Sequence, residues 1–132
     1  MQKFSGQFYC EFDRFCSVKI VDDGRVAYAY FTQGDDAVGD VWLYNQAEAP
    51  KVSFWNPADI PFLNPVEYLN KDAKIAPINA ADEVRCEWLE TSDGIIEVDI
   101  LIRGKFIAQL SPGAKPGFSV LVVKDGPLAL IY

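Results

Sequence analysis

Three Asp-Gly pairs, Asp23-Gly24, Asp93-Gly94 and Asp125-Gly126, each fall between stretches rich in Val, Ile, Tyr and Phe. Gly takes a positive φ at no steric cost and Asp tolerates such turns. The dipeptide between β-prone runs therefore marks a hairpin. A chain punctuated this way is directed first of all toward antiparallel sheet.

The pair at residue 93 also sets a register. A two-residue loop would place Trp88 opposite Asp99 and Arg85 opposite Ile102. A three-residue loop, Ser92-Asp93-Gly94, places Trp88 opposite Val98, Cys86 opposite Ile100 and Val84 opposite Ile102. Only the second gives one wholly apolar face, and a one-residue slip would turn that face outward. The same reasoning applied to residues 16–21 and 25–32 favours a loop of Asp22-Asp23-Gly24. Ile20 then faces Val26, Val18 faces Tyr28 and Cys16 faces Tyr30. The pair at 125 is followed by Pro127, which has no N–H to close a tight turn, so a wider connection is expected there.

Further strands are expected over 4–12, 41–45, 51–55 and 105–110, with 33–40 as a loop. The nearly continuous apolar runs 118–124 and 128–132 read as strands buried on both faces. Prolines at 57, 61, 65 and 77 exclude a central strand from 56–79. Within that segment Asn64-Pro65-Val66-Glu67 has the form of a helix start, predicting a short helix over 65–73. The sum is eight or nine strands with one short helix: a mainly β chain, an antiparallel sandwich or barrel-like sheet. The 132 residues suit a single domain spanning 1–132.

The charge balance narrows the function. Twelve Lys and Arg stand against nineteen Asp and Glu, a net charge of −7. No basic cluster offsets it, so a phosphate backbone would be repelled and nucleic acid is not an expected partner. The opening residues carry no apolar signal core, and no stretch approaches the roughly 20 apolar residues of a membrane span. A cytoplasmic chain without membrane contact is expected. The cysteines, Cys10, Cys16 and Cys86, are odd in number and lack Cys-x-x-Cys spacing, so they read as reduced thiols. Cys86 alternates with Val84 and Trp88, as a small core residue would. Cys10 and Cys16 could meet only if a turn brought them together.

The chain contains no histidine. Ser-His-Asp and Cys-His catalysis and the common His-bearing zinc sites are thereby removed. No enzyme activity, cofactor or metal is expected. Asp35, Asp36 and Asp40 crowd one loop without the order of a calcium-binding loop. The glycines at 104, 113 and 117 lack the Gly-Lys-Ser/Thr of a phosphate loop.

The residues singled out for binding are Glu87, Glu97, Asp99 and Trp55. In the favoured register Glu87 lies opposite Asp99, with Glu97 two positions along the same face. Like charges directly opposite are destabilising, although Arg85, diagonal to Asp99, offsets part of this. The result is an acidic face suited to a basic protein. Trp55, beside Asn56-Pro57, could be presented by a loop as an interface anchor. The aromatic group Tyr28, Tyr30, Trp42, Tyr44, Phe54 and Trp55 reads as core, with the lining of a ligand cavity or a stacking platform as the alternative.

The profile is small, acidic, histidine-free and β-rich, and it is similar in type to that of bacterial immunity proteins that neutralise basic toxins. The expected function is a non-catalytic protein-interaction module of that kind. The alternative is a small-ligand-binding barrel with an aromatic-lined cavity.

Overall fold

The computed structural model describes residues 2–132. It is mainly β, with nine strands: β1 (Phe4–Tyr9), β2 (Cys16–Asp22), β3 (Val26–Gln33), β4 (Asp36–Asn45), β5 (Val84–Glu90), β6 (Ile96–Ile102), β7 (Lys105–Leu110), β8 (Phe118–Ser119) and β9 (Leu130–Ile131). They form a four-stranded sheet in the order β1-β2-β3-β4 and a five-stranded sheet in the order β5-β6-β7-β8-β9. All pairs are antiparallel except β8 with β9.

The two sheets face each other. Val18, Ile20, Phe31 and Val41 from one, and Val98, Ile100, Ile102 and Leu110 from the other, are buried between them. Phe31 meets Trp88 edge-on across this layer, at 5.8 Å between ring centres. The sheets are stitched along one side. Gly113 N donates to Val38 O (2.6 Å), Asp40 N to Ala114 O (2.9 Å), Gly117 N to Asp40 O (2.7 Å) and Trp42 N to Leu128 O (3.0 Å). Gly39 permits this approach, because a Cβ there would lie 2.8 Å from Ser111 O. The opposite side, between the β1 and β5 edges, stays open, so no closed barrel forms.

The β5–β6 hairpin has the register expected of it: Val84 with Ile102, Cys86 with Ile100, Trp88 with Val98 and Glu87 with Asp99. Thr91 N donates to Ile95 O at 2.8 Å, closing a three-residue loop that ends in Gly94 at φ 80°.

The β2–β3 hairpin departs from expectation. Ile20 lies opposite Ala29, Val18 opposite Phe31 and Cys16 opposite Gln33. The expected pairing assumed that Tyr28 and Tyr30 share the apolar face of Val18 and Ile20. Instead small Ala27 and Ala29 face the second sheet, and the tyrosines occupy the other face, where Tyr28 is also buried. With both faces covered, alternation no longer identifies a register.

Other differences have local causes. Residues 33–40 are not a loop: Gly34-Asp35 makes a two-residue turn and β4 begins at Asp36. Gly in the first central position suits such a turn. Residues 51–55 form no strand, because the free edge of β4 is already bonded to residues 113–117 and 128. The helix at 65–73 is reduced to a single 3-10 turn, Val66–Tyr68, with no side-chain cap. Asn64, the expected cap, is buried, and its backbone N–H and C=O bond to Asn45. The runs 118–124 and 128–132 give only two-residue strands. Val120 N still donates to Ile107 O, but Leu121 O accepts from Asn70 N and Val123 N donates to Tyr68 O, so the first run leaves the sheet after Val120. Gly126 N bonds to Ala129 O across the Pro127 turn, and the two runs then pair in parallel rather than as a hairpin.

Candidate functional site

The outer faces of the two sheets are finished differently. The segment 46–79 crosses the outer face of the four-stranded sheet. Tyr28 Oη donates to Phe62 O at 2.7 Å, and the Arg25 guanidinium donates to Asp59 O and Pro61 O. Asn45 clamps the chain as a ladder partner would. Its Nδ2 donates to Asn64 O (2.9 Å), and its Oδ1 accepts from Asn64 N (2.9 Å) and Trp42 Nε1 (2.9 Å). Farther along the segment turns in toward the core, where Tyr44, on the inward side with Ala27 and Asp22, accepts at Oη from Ile78 N (2.9 Å) and donates to the buried Asp22 (2.6 Å), which also accepts from Gln46 Nε2 (2.7 Å) and Gly24 N (2.9 Å). Burial holds the Tyr28 and Tyr44 hydroxyls well above the ordinary tyrosine range. Neighbouring Tyr30 adds to this at Tyr28, and the hydrogen bond to Asp22 adds to it at Tyr44.

Among the described residues no segment crosses the outer face of the five-stranded sheet, where Arg85, Glu87, Leu89 and Phe118 are exposed. Alternation along β5, β6 and β7 brings Arg85, Glu87 and Leu89, then Glu97, Asp99 and Leu101, then Phe106 and Gln109 to this side. Glu87 and Asp99 are direct cross-strand neighbours, and Glu97 lies opposite Leu89. The Arg85 guanidinium bonds Glu87 Oε2 at 2.7 Å, and Gln109 Nε2 donates to Asp99 Oδ1 at 2.9 Å. The sheet therefore brings the three carboxylates together as the sequence predicts, with Arg85 spent on Glu87 rather than on Asp99. Beside them lies an apolar strip the sequence did not reveal. Phe118 is opposite Gln109, and Tyr132 packs on Phe106 (4.5 Å) and Phe118 (6.4 Å). Leu89, Phe118 and Tyr132 are all exposed. The signal for this strip was available in Phe106 and Phe118, but a face assignment needed the β7–β8 pairing.

Trp55 is not part of this face. It sits in segment 46–79, on the other side of the sandwich, packed edge-on against Phe62 (5.2 Å) and beside Tyr68 (6.4 Å). Lys124 Nζ lies 5.0 Å from the Tyr68 ring centre and 2.7 Å from Glu67. Trp55 remains 36% exposed, half anchored and half presented. The wider aromatic group divides in the same way: Tyr28, Trp42 and Tyr44 are buried, whereas Phe54 is exposed.

A groove of about 580 Å3 runs between the β1 and β5 edges, where Tyr9, Glu11, Cys86 and Glu87 line it. Burial pushes the Cys86 thiol up to about 12. Cys10 and Cys16 are brought opposite each other by the turn over 11–15, with Cys10 N donating to Cys16 O at 3.0 Å, and both are free thiols. Asp35 sits in the β3–β4 turn and Asp36 opens β4, while Asp40 lies opposite Tyr30 with its carboxyl raised by burial and partly restored by Lys115. Among the described residues no three His, Cys, Asp or Glu side chains converge as metal ligands would. Among the same residues no helix is long and apolar enough to cross a membrane.

Fold and surface together define a two-sheet β protein, stitched along one edge, with one outer face covered and the other open and acidic. Comparison with protein-family models, with curated proteins and with solved structures gave no match.

Proposed function

We propose that the chain is a non-catalytic interaction module that receives a basic protein on the outer face of its five-stranded sheet, as an acidic inhibitor or immunity-type protein would. The observation that carries this is the direct cross-strand pairing of Glu87 with Asp99 on an uncovered face. Fold stability gains nothing from that pairing, since opposed like charges are destabilising, and Arg85 offsets the charge of Glu87 alone. A cationic partner would convert the same geometry into attraction and would be steered toward it by the chain's −7 charge. The adjoining Leu89, Phe118 and Tyr132 supply the apolar and aromatic area that interface centres use. The three free thiols suit a reducing compartment such as the cytoplasm.

The test uses the wild-type chain and an E87Q/E97Q/D99N variant as baits, at low salt and at about 0.5 M salt, where charges more than a few ångströms apart are screened. The reading expects one basic protein to be held by the wild type, released by salt and lost by the variant. A partner retained equally by both baits, or unmoved by salt, overturns it. A gene for a basic toxin beside this one would support it independently.

A further inference from the structure

A cavity of about 450 Å3 lies between the end of β4 and the segment 66–75, away from the acidic face. Its volume falls in the roughly 300–1,000 Å3 range of small-molecule sites. Trp42, Val66, Leu69, Ile75 and Leu121 give it an apolar lining. Three lysines, Lys51, Lys71 and Lys74, also line it, against a single carboxylate, Glu48. This reverses the sign of the rest of the molecule: a quarter of the chain's 12 basic residues meet at one opening on a protein of net charge −7. None of the three lysines takes part in an ion pair among the described residues, where the pairs are Arg85–Glu87, Arg103–Glu83 and Lys124–Glu67.

Apolar walls with unpaired cations at the mouth are complementary to one class of ligand. We infer that this cavity binds a small amphipathic organic carboxylate, its ring or chain against Trp42, Leu69 and Leu121 and its carboxylate among Lys51, Lys71 and Lys74. Burial of the apolar part supplies most of the affinity. The lysines supply the choice of head group, because an ammonium stabilises a carboxylate and repels another ammonium. The site is independent of the acidic face, since segment 46–79 and the β4 end lie on the other side of the sandwich. A protein partner and this ligand could be held together.

Three probes with one tail and different heads test the inference by calorimetry: phenylbutyrate, phenylbutanol and phenylbutylamine. Phenylbutyrate is expected to bind saturably at one site, with the alcohol about tenfold weaker and the amine weaker still. The variant K71E/K74E changes only exposed side chains and so should fold. In it, phenylbutyrate should lose about tenfold and its advantage over the alcohol should vanish. Ala73→Trp, which fills the cavity from its wall, should abolish binding of all three. Equal binding of the carboxylate and the alcohol to the wild type overturns the inference. So does an absence of saturable binding at millimolar phenylbutyrate, or undiminished binding to Ala73→Trp.

Discussion

The two outer faces of this sandwich begin from the same material and end differently. On the four-stranded sheet, Tyr28 and Trp42 project outward and are buried, because segment 46–79 is fastened over them through Asn45, Tyr28 and Arg25. On the five-stranded sheet, Leu89, Phe118 and Tyr132 project outward and are left exposed beside three carboxylates. A sheet face can be completed by its own chain or left for something else. The difference separates a face completed within the fold from one left open to solvent.

Like substitutions on the two faces should therefore have unlike costs. Trp42→Ala removes a buried ring, 3% exposed, from beneath the cover, and should cost about 3–5 kcal/mol in urea unfolding. Leu89→Ala, at a position 62% exposed, should stay within about 0.5 kcal/mol. An equally large loss at Leu89 would mean that the open face is covered in solution, by a second copy for example.

The next largest effect sharpens how the cover is held. Asn45→Ala leaves Asn64 N, Asn64 O and Trp42 Nε1 without their partner. A buried group stranded this way costs about 1–3 kcal/mol, so a loss of about 2–3 kcal/mol is expected after partial rehydration. Limited proteolysis should then cut within 46–63 while the β5–β6 hairpin stays intact. Cleavage elsewhere first would show that Asn45 is not the fastening.

Tyr28→Phe removes one fastening and, with it, one titration. At neutral pH the lost bond to Phe62 O should cost about 1 kcal/mol. At high pH this advantage shrinks. The buried hydroxyl stays neutral in the fold, while in the unfolded chain it ionises near 10.0. The wild type therefore loses stability as pH rises above 10 toward the raised folded value, by up to about 1.4 kcal/mol per pH unit for this group. The Phe variant escapes that share of the loss, so the two stability curves should converge above pH 10. Parallel curves would show that Tyr28 is not held neutral by the cover.

The same contrast explains what the sequence discloses and what it hides. The β5–β6 hairpin has one dry and one wet face, so Val84, Cys86 and Trp88 alternate with Arg85, Glu87 and Leu89, and the register can be read directly. In β3 nearly every residue is buried, and Tyr28 looks as apolar as Phe31 although they point to opposite sides. Its register is set by Ala27 and Ala29 making room for the second sheet, a long-range fact. The acidic face was legible for the same reason that its hairpin was. The lysine-mouthed cavity was not, since Lys51, Lys71 and Lys74 sit in an irregular segment whose path depends on Asn45 and Tyr28. Residues 118–124 misled in a third way: their apolar side chains answer to three neighbours, the sheet, Tyr68 and Asn70, rather than to one ladder.

The smallest expected effect bears most directly on function. Asp99→Asn keeps an oxygen to accept from Gln109 Nε2 and leaves the Arg85–Glu87 pair in place. What it removes is the repulsion between Glu87 and Asp99. Stability should rise by about 0.2–1 kcal/mol at low ionic strength. The gain should vanish near 1 M salt, where the screening length is about 3 Å. It should also be absent when Glu87 is already Gln, so a double-mutant cycle isolates the pair. A destabilised Asp99→Asn would mean that the carboxylate serves the fold, and the open face would lose its strongest mark of a binding surface. A stabilised variant that also fails to hold the proposed basic partner would show that the native chain keeps this charge at a cost to its own stability.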